Sequence, residues 1–203
     1  MKVTVLGASG RAGSEIVREL ARRGHTVTAV ARRPERAPAA PGVTAVAGDV
    51  NHPETLAPAL TGADAVVSAV MFVDSDPQLL IKAVKDAGVP RYLVVGGAGS
   101  LEVAPGQALI DAPGFPDAYR AEAEAGGRFL QTLRAEPELN WTFLSPSALF
   151  DGSERTGAFR LGGDTLLTDG QGNSRITFPD YAIAMVDEIE TPRHPRARFT
   201  VGY

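Results

Sequence analysis

The sequence predicts an α/β fold, a doubly wound parallel sheet with helices on both faces. Two observations lead there. Short β-branched runs alternate with amphipathic segments along most of the chain, the order that parallel strands and crossover helices require. The run at 63–70 is almost continuously apolar, as a strand covered on both faces must be. A chain of 203 residues is long enough for one such domain with a substantial core, so residues 1–203 are read as one unit.

The elements follow in order. Residues 2–6 read as a buried first strand carried by Val3, Val5 and Leu6. Ile16, Val17, Leu20 and Ala21 recur at helical spacing, which predicts a helix over 11–23 that Gly24 ends. Strands are predicted at 26–31 and 43–47, a short helix at 53–60, and a fourth strand at 63–70. The helix at 77–87 is stopped by Gly88 and Pro90. A fifth strand at 91–95 runs into Gly96-Gly97-Ala98-Gly99, a long helix covers 116–134, and a sixth strand covers 141–144. After Ser145 the pattern changes. Gly157, Gly162, Gly163, Gly170 and Gly172 punctuate short apolar runs before a helix at 179–190 and a strand at 198–201. Residues 145–203 are therefore read as a small C-terminal lobe over the carboxyl ends of the strands, where open α/β sheets bind ligands.

Composition narrows the function. The formal net charge is −4 with no block of like charges, which argues against nucleic acid as a partner. The chain has no cysteine, and His25, His52 and His194 lie far apart without ligand spacing, so no metal site is expected. No apolar stretch approaches the roughly 20 residues of a membrane span, and glycines from Gly7 onward interrupt the first apolar run before it reaches signal-peptide length. The expected location is the cytoplasm. Oligomeric state is left open.

The loop Gly7-Ala8-Ser9-Gly10-Arg11-Ala12-Gly13 joins the first strand to the first helix. In that context the three glycines permit a tight turn, close backbone approach to a pyrophosphate, and helix–sheet contact. The helix then offers free N–H groups and partial positive charge to an anion, and Ser9 adds a hydroxyl. This is the phosphate loop of a Rossmann-like dinucleotide site. At the end of the second strand, where NAD sites place an acidic residue, stand Arg32 and Arg33. Their guanidinium groups suit a 2′-phosphate, with Arg11 approaching from the other side, so NADP(H) is preferred and NAD(H) remains possible. The bland alternative for Arg32 and Arg33 is a solvated loop. Asp49, next to Val50, either accepts from the adenine amino group or caps the following helix. Ser68, Ala69 and Val70 are expected beside the adenosine ribose or the pyrophosphate.

The glycine spacing resembles that of extended and atypical short-chain dehydrogenases. Beyond it, Val94-Val95-Gly96-Gly97-Ala98-Gly99-Ser100, Trp141-Thr142-Phe143-Leu144-Ser145-Pro146, Gly172-Asn173-Ser174-Arg175-Ile176 and Asp180-Tyr181-Ala182 are similar to the NAD(P)H-binding group of NADH-flavin reductases, related to biliverdin reductase B and the NmrA-like proteins. The resemblance implies that Gly97, Ala98 and Gly99 border the nicotinamide ribose and that Pro146, Ser147 and Ala148 lie beside the carboxamide. The chain also departs from the pattern. Main-type short-chain dehydrogenases use a Tyr-x-x-x-Lys pair for proton transfer, whereas Tyr119 is followed four residues later by Ala123. The biliverdin reductase histidine is replaced by Ala148. Ser100 and Tyr119 are the remaining hydroxyl candidates, each with a purely structural alternative. Hydride transfer to a flavin or quinone-like small-molecule acceptor needs mainly correct stacking, and Phe72, Phe115, Phe150 and Phe159 could wall such a site or simply pack in the core. The expected activity is therefore an NAD(P)H-dependent flavin reductase. The alternatives are an NmrA-like redox sensor without turnover and, disfavoured by the missing lysine, a sugar-nucleotide epimerase or dehydratase.

Overall fold

A computed structural model describes residues 1–203. Its main sheet contains β1 (Lys2–Leu6), β2 (Thr26–Ala31), β3 (Val43–Ala47), β4 (Ala65–Ser68), β5 (Tyr92–Val95), β8 (Trp141–Ser145), β10 (Arg160–Gly162) and β12 (Ala197–Gly202). The order is β10-β12-β8-β5-β4-β1-β2-β3. Only β10 runs antiparallel to its neighbour. The remaining strands pair outside this sheet, β6 (Glu102–Ala104) with β7 (Gln107–Ala108), and β9 (Leu149–Phe150) with β11 (Arg175–Ile176). Crossovers leave β1 toward β2 on one side and return to β4 on the other, which makes the gap between β1 and β4 the switch point of the sheet.

Strand alternation divides the core into two layers. Val3 and Val5 of β1, Val27 and Ala29 of β2, and Ala65 and Val67 of β4 face α1 (Arg11–Arg22) and α5 (Phe178–Glu190). Leu6, Val30, Val66, Tyr92, Val94 and Phe143 face the other way, toward α2 (Ala57–Leu60), α3 (Pro77–Asp86) and α4 (Asp117–Arg134). The middle strands are buried along their full length, which explains their unbroken apolar runs.

Two expectations are corrected. The fourth strand covers four residues and not the whole of 63–70. It pairs with β1 as far as Leu6 and Ser68, and where Gly7 turns away the neighbouring ladder ends. The segment after Ser145 does not act as one lobe either. β12 enters the main sheet beside β8, and α5 packs against α1 under it. What crosses the carboxyl ends is the stretch between, with β9 and β11. Asp180, fully buried on the first turn of α5, ties part of it down: its carboxylate accepts from the backbone N–H groups of Thr156 and Gly157, both at 2.9 Å, and from the Tyr203 hydroxyl at 2.7 Å.

Candidate dinucleotide site

The glycine loop is fixed by short backbone distances. Gly7 has φ of +78°, and a Cβ there would lie 2.4 Å from the carbonyl oxygen of Ala69. A Cβ on Gly13 would lie 2.2 Å from the Gly7 carbonyl oxygen, so helix and loop meet backbone to backbone. Gly7 and Ala8 both donate to Val30 O at 3.0 Å, pinning the loop to β2. α1 follows Gly10, which offers no side-chain cap, and has no acidic residue in its first turn. The N–H groups of Ser9, Arg11, Ala12 and Gly13 find no backbone acceptor, while the first-turn bond from Ser14 to Gly10 O closes at 2.8 Å. Such a terminus presents donors and positive potential to an anion.

From this loop a groove of about 210 Å³ runs between the ends of β2, β3 and β4. It brings together Gly7, Ser9, Gly10, Arg32, Arg33, Asp49, Val50, Ala69 and Val70 of the residues singled out from sequence. Arg32 and Arg33 are exposed and take part in none of the arginine–carboxylate pairs of the molecule. The two guanidinium groups at the end of β2 are thus left with their N–H donors unpaired by any carboxylate. One oxygen of Asp49 accepts from Asn51 N at 3.0 Å, closing a local turn that leaves the other oxygen free to accept from a ligand. Val30, Ala31 and Gly48 also line the groove, as do Asn51, Met71 and Asp74, whose place in it no sequence motif marks.

The structure places several other candidates elsewhere. Ala8 and Gly13 are buried beneath the loop and shape it without facing the groove, and Ala12 is half-buried outside the lining. Ser68 is 2% exposed inside the sheet, since the strand ends there and Ala69 is the first residue to turn into the groove. Arg11 does not join Arg32 and Arg33. As the first residue of α1 it points to the opposite flank, and its guanidinium lies 5.2 Å from the centre of the Phe178 ring. Phe178 in turn packs on Phe150 at 4.4 Å, and Phe150 on Tyr181 at 4.7 Å.

Beyond the groove, Gly97 and Ala98 are half-buried just past the end of β5. Gly99 has a packing reason of its own: a Cβ would lie 2.7 Å from the Cβ of Ala123, the residue at the position of the missing lysine. Pro146 and Ser147 are buried, and the Ser147 hydroxyl donates to Val201 O at 2.9 Å, leaving Ala148 as the exposed member of that trio. The Ser100 hydroxyl accepts from Arg198 at 3.3 Å, and Arg198 pairs with Asp164 through its Nε at 2.6 Å. Tyr119, on the first turn of α4, is 66% exposed and makes no side-chain hydrogen bond with Ser100. No proton-donating pair is therefore assembled from these two. Of the four phenylalanines, Phe72 is core, packed between Phe129 and Phe143. Phe159 lies partly buried against the α1–α5 layer, and Phe115 carries the Arg120 guanidinium at 5.5 Å.

A Rossmann-type sheet with an open helix terminus over its switch point defines a dinucleotide-binding class, and comparison with known proteins gives the family. Residues 7–192 match the NAD(P)H-binding family model, and the chain belongs to that family. It is 41% identical to YwnB of Bacillus subtilis (strain 168), across 99% of this chain and 98% of the relative. Among solved structures it matches a candidate epimerase from Bacteroides thetaiotaomicron with a TM-score of 0.93 at 41% identity, covering 100% of this chain and 96% of the other. It also matches a candidate NADH-flavin reductase from Streptococcus pneumoniae with a TM-score of 0.85 at 37% identity, covering 100% and 99%. An NAD(P)H azoreductase of Xenophilus azovorans is 29% identical across 98% of this chain and 67% of its own length.

Proposed function

We propose that the protein is an NAD(P)H-dependent reductase that passes a hydride to a flavin or quinone-like acceptor and prefers NADPH. The observation that carries the NADPH preference is the pair Arg32 and Arg33 lining the groove without carboxylate partners. Support for the reaction class comes from relatives named as a candidate NADH-flavin reductase and an NAD(P)H azoreductase. The same class fits the local chemistry. With Ala123 in place of a lysine, Tyr119 in solvent and Ser100 engaged by Arg198, no side chain is poised to protonate a carbonyl oxygen. Acceptors whose proton comes from water do not need one.

When bound, the reduced nicotinamide supplies two electrons and one hydrogen nucleus as hydride, the dinucleotide leaves oxidised, and water supplies the second proton of the reduced acceptor. The roles of the chain are positional. The amino terminus of α1 holds the pyrophosphate, Arg32 and Arg33 hold the 2′-phosphate, Asp49 accepts from the adenine amino group, and Gly97 and Ala98 give the nicotinamide end a low floor. Residues 146–177 cover the acceptor. Consumption of NAD(P)H favours a cytoplasmic setting.

The test is stopped-flow absorbance at 340 nm with NADPH and either free flavin or a naphthoquinone. Saturable oxidation supports the reductase. Tight binding without oxidation by any acceptor instead favours a dinucleotide-responsive sensor, a reading motivated by the same lack of a proton donor. Epimerase or dehydratase chemistry, suggested by the name of the Bacteroides relative, is disfavoured because the tyrosine–lysine pair is absent.

A further inference from the structure

We propose that Glu122 is a positioning residue for the adenosine end of the groove, setting one groove wall from the outer helix α4. The proposal rests on the reading that this groove takes the dinucleotide. Its two carboxylate oxygens accept from the backbone N–H groups of Phe72 and Val73 at 2.8 and 3.0 Å. These are the first two N–H groups of the single turn Phe72–Asp74, which follows β4. Glu122 is half-buried and forms no ion pair, so these charge-assisted bonds are its polar contacts.

One turn further along α4, a Cβ on Gly126 would lie 2.9 Å from the Phe72 ring, which therefore seats on the bare helix backbone. The turn is thus held at two points, its backbone by Glu122 and its ring by Gly126. It cannot slide along α4 without breaking one of them.

The residues on either side of this anchor, Met71 and Asp74, line the groove. The carbonyl oxygen of Asp74 accepts from the Asn51 side chain at 2.8 Å, and Asn51 N donates to Asp49 at 3.0 Å. A continuous set of contacts therefore runs from α4 through the 71–74 wall to the residues that face the adenine. If Glu122 is lost, the wall and the Asn51 bridge lose their common reference, and the groove binds adenosine less tightly.

The experiment titrates ADP, the fragment common to NADPH and NADH, and then both dinucleotides, into the full-length protein by calorimetry. Wild type is compared with Glu122→Ala, Glu122→Gln and Leu133→Ala, with urea unfolding measured alongside. Leu133 is a fully buried residue of α4, eleven positions beyond Glu122, and serves as the control for general destabilisation. Expected is an approximately tenfold weaker ADP dissociation constant for Glu122→Ala, carried over to both dinucleotides. Glu122→Gln keeps an acceptor for one N–H and is expected to lose about threefold. Leu133→Ala is expected to lower stability with ADP affinity unchanged. Equal ADP affinity in wild type and Glu122→Ala overturns the proposal and leaves the dinucleotide reading intact. Failure of the wild type to bind ADP, NADPH and NADH overturns both.

Discussion

Gly13 faces the carbonyl oxygen of Gly7 at a distance that no side chain tolerates, 2.2 Å from where a Cβ would stand. Gly13→Ala must therefore push α1 away from the loop. Overpacking of this kind costs about 1–3 kcal/mol, and the displacement also moves the unpaired N–H groups at the start of α1. A drop in urea midpoint together with loss of NADPH binding is the expected outcome; a variant that unfolds like wild type and binds like wild type contradicts the geometry. Arg32 makes a different prediction, because it is exposed and takes part in no ion pair. Arg32→Ala should leave stability within about 0.5 kcal/mol and weaken NADPH by about tenfold or more through the lost charge-assisted bond. NADH affinity should barely change. Equal losses for the two dinucleotides in calorimetry would remove the case for 2′-phosphate recognition.

At the scale of an element, α5 owes its entry to one carboxylate. Burial by itself would raise the pKa of Asp180, but hydrogen bonds from Thr156, Gly157 and Tyr203 outweigh it and hold the carboxyl below its usual value. A depressed pKa in the folded state stabilises the protein at pH above the unfolded value, and this contribution is lost as pH falls through the folded one. Asp180→Asn should therefore cost about 2–3 kcal/mol near neutrality. The gap to wild type should close as pH drops below about 4, the usual carboxylate range. Urea unfolding between pH 7 and pH 3 checks this, and a gap independent of pH would assign the loss to packing and not to charge. α4 plays a complementary role, because its Glu122 and Gly126 hold the turn that walls the groove on the other side of the sheet.

For the whole molecule, binding and stability are linked. The groove draws residues from the ends of β1, β2, β3 and β4, so a ligand there bridges strands from both halves of the sheet. A ligand at a hundred times its dissociation constant adds about 2.7 kcal/mol to the folded state. For a chain of this size that corresponds to roughly 5–10 °C in Tm. Thermal unfolding should shift by that much with NADPH and by less with NADH at the same concentration. No shift with either would contradict a site that spans the switch point.

The order of strands and helices, the glycine-rich turn into α1 and the basic end of β2 were all legible in the sequence. They depend on alternation, turn chemistry and residues within a few positions of one another. The contacts that separate one groove from its surroundings were not. Phe72 and Glu122 are 50 residues apart, and no local pattern announces that one will hold the other. Arg11 reads as a phosphate ligand from its place in the loop, yet its side chain leaves toward Phe178 because of the direction in which α1 begins. Ser68 reads as a groove residue until the loss of its neighbouring strand fixes where β4 ends. The terminal strand reads as part of a lobe, and pairing with β8 makes it part of the sheet. Local chemistry determined what the elements are; the pairing of distant segments, set by burial of both sheet faces, decided which side chains line the groove.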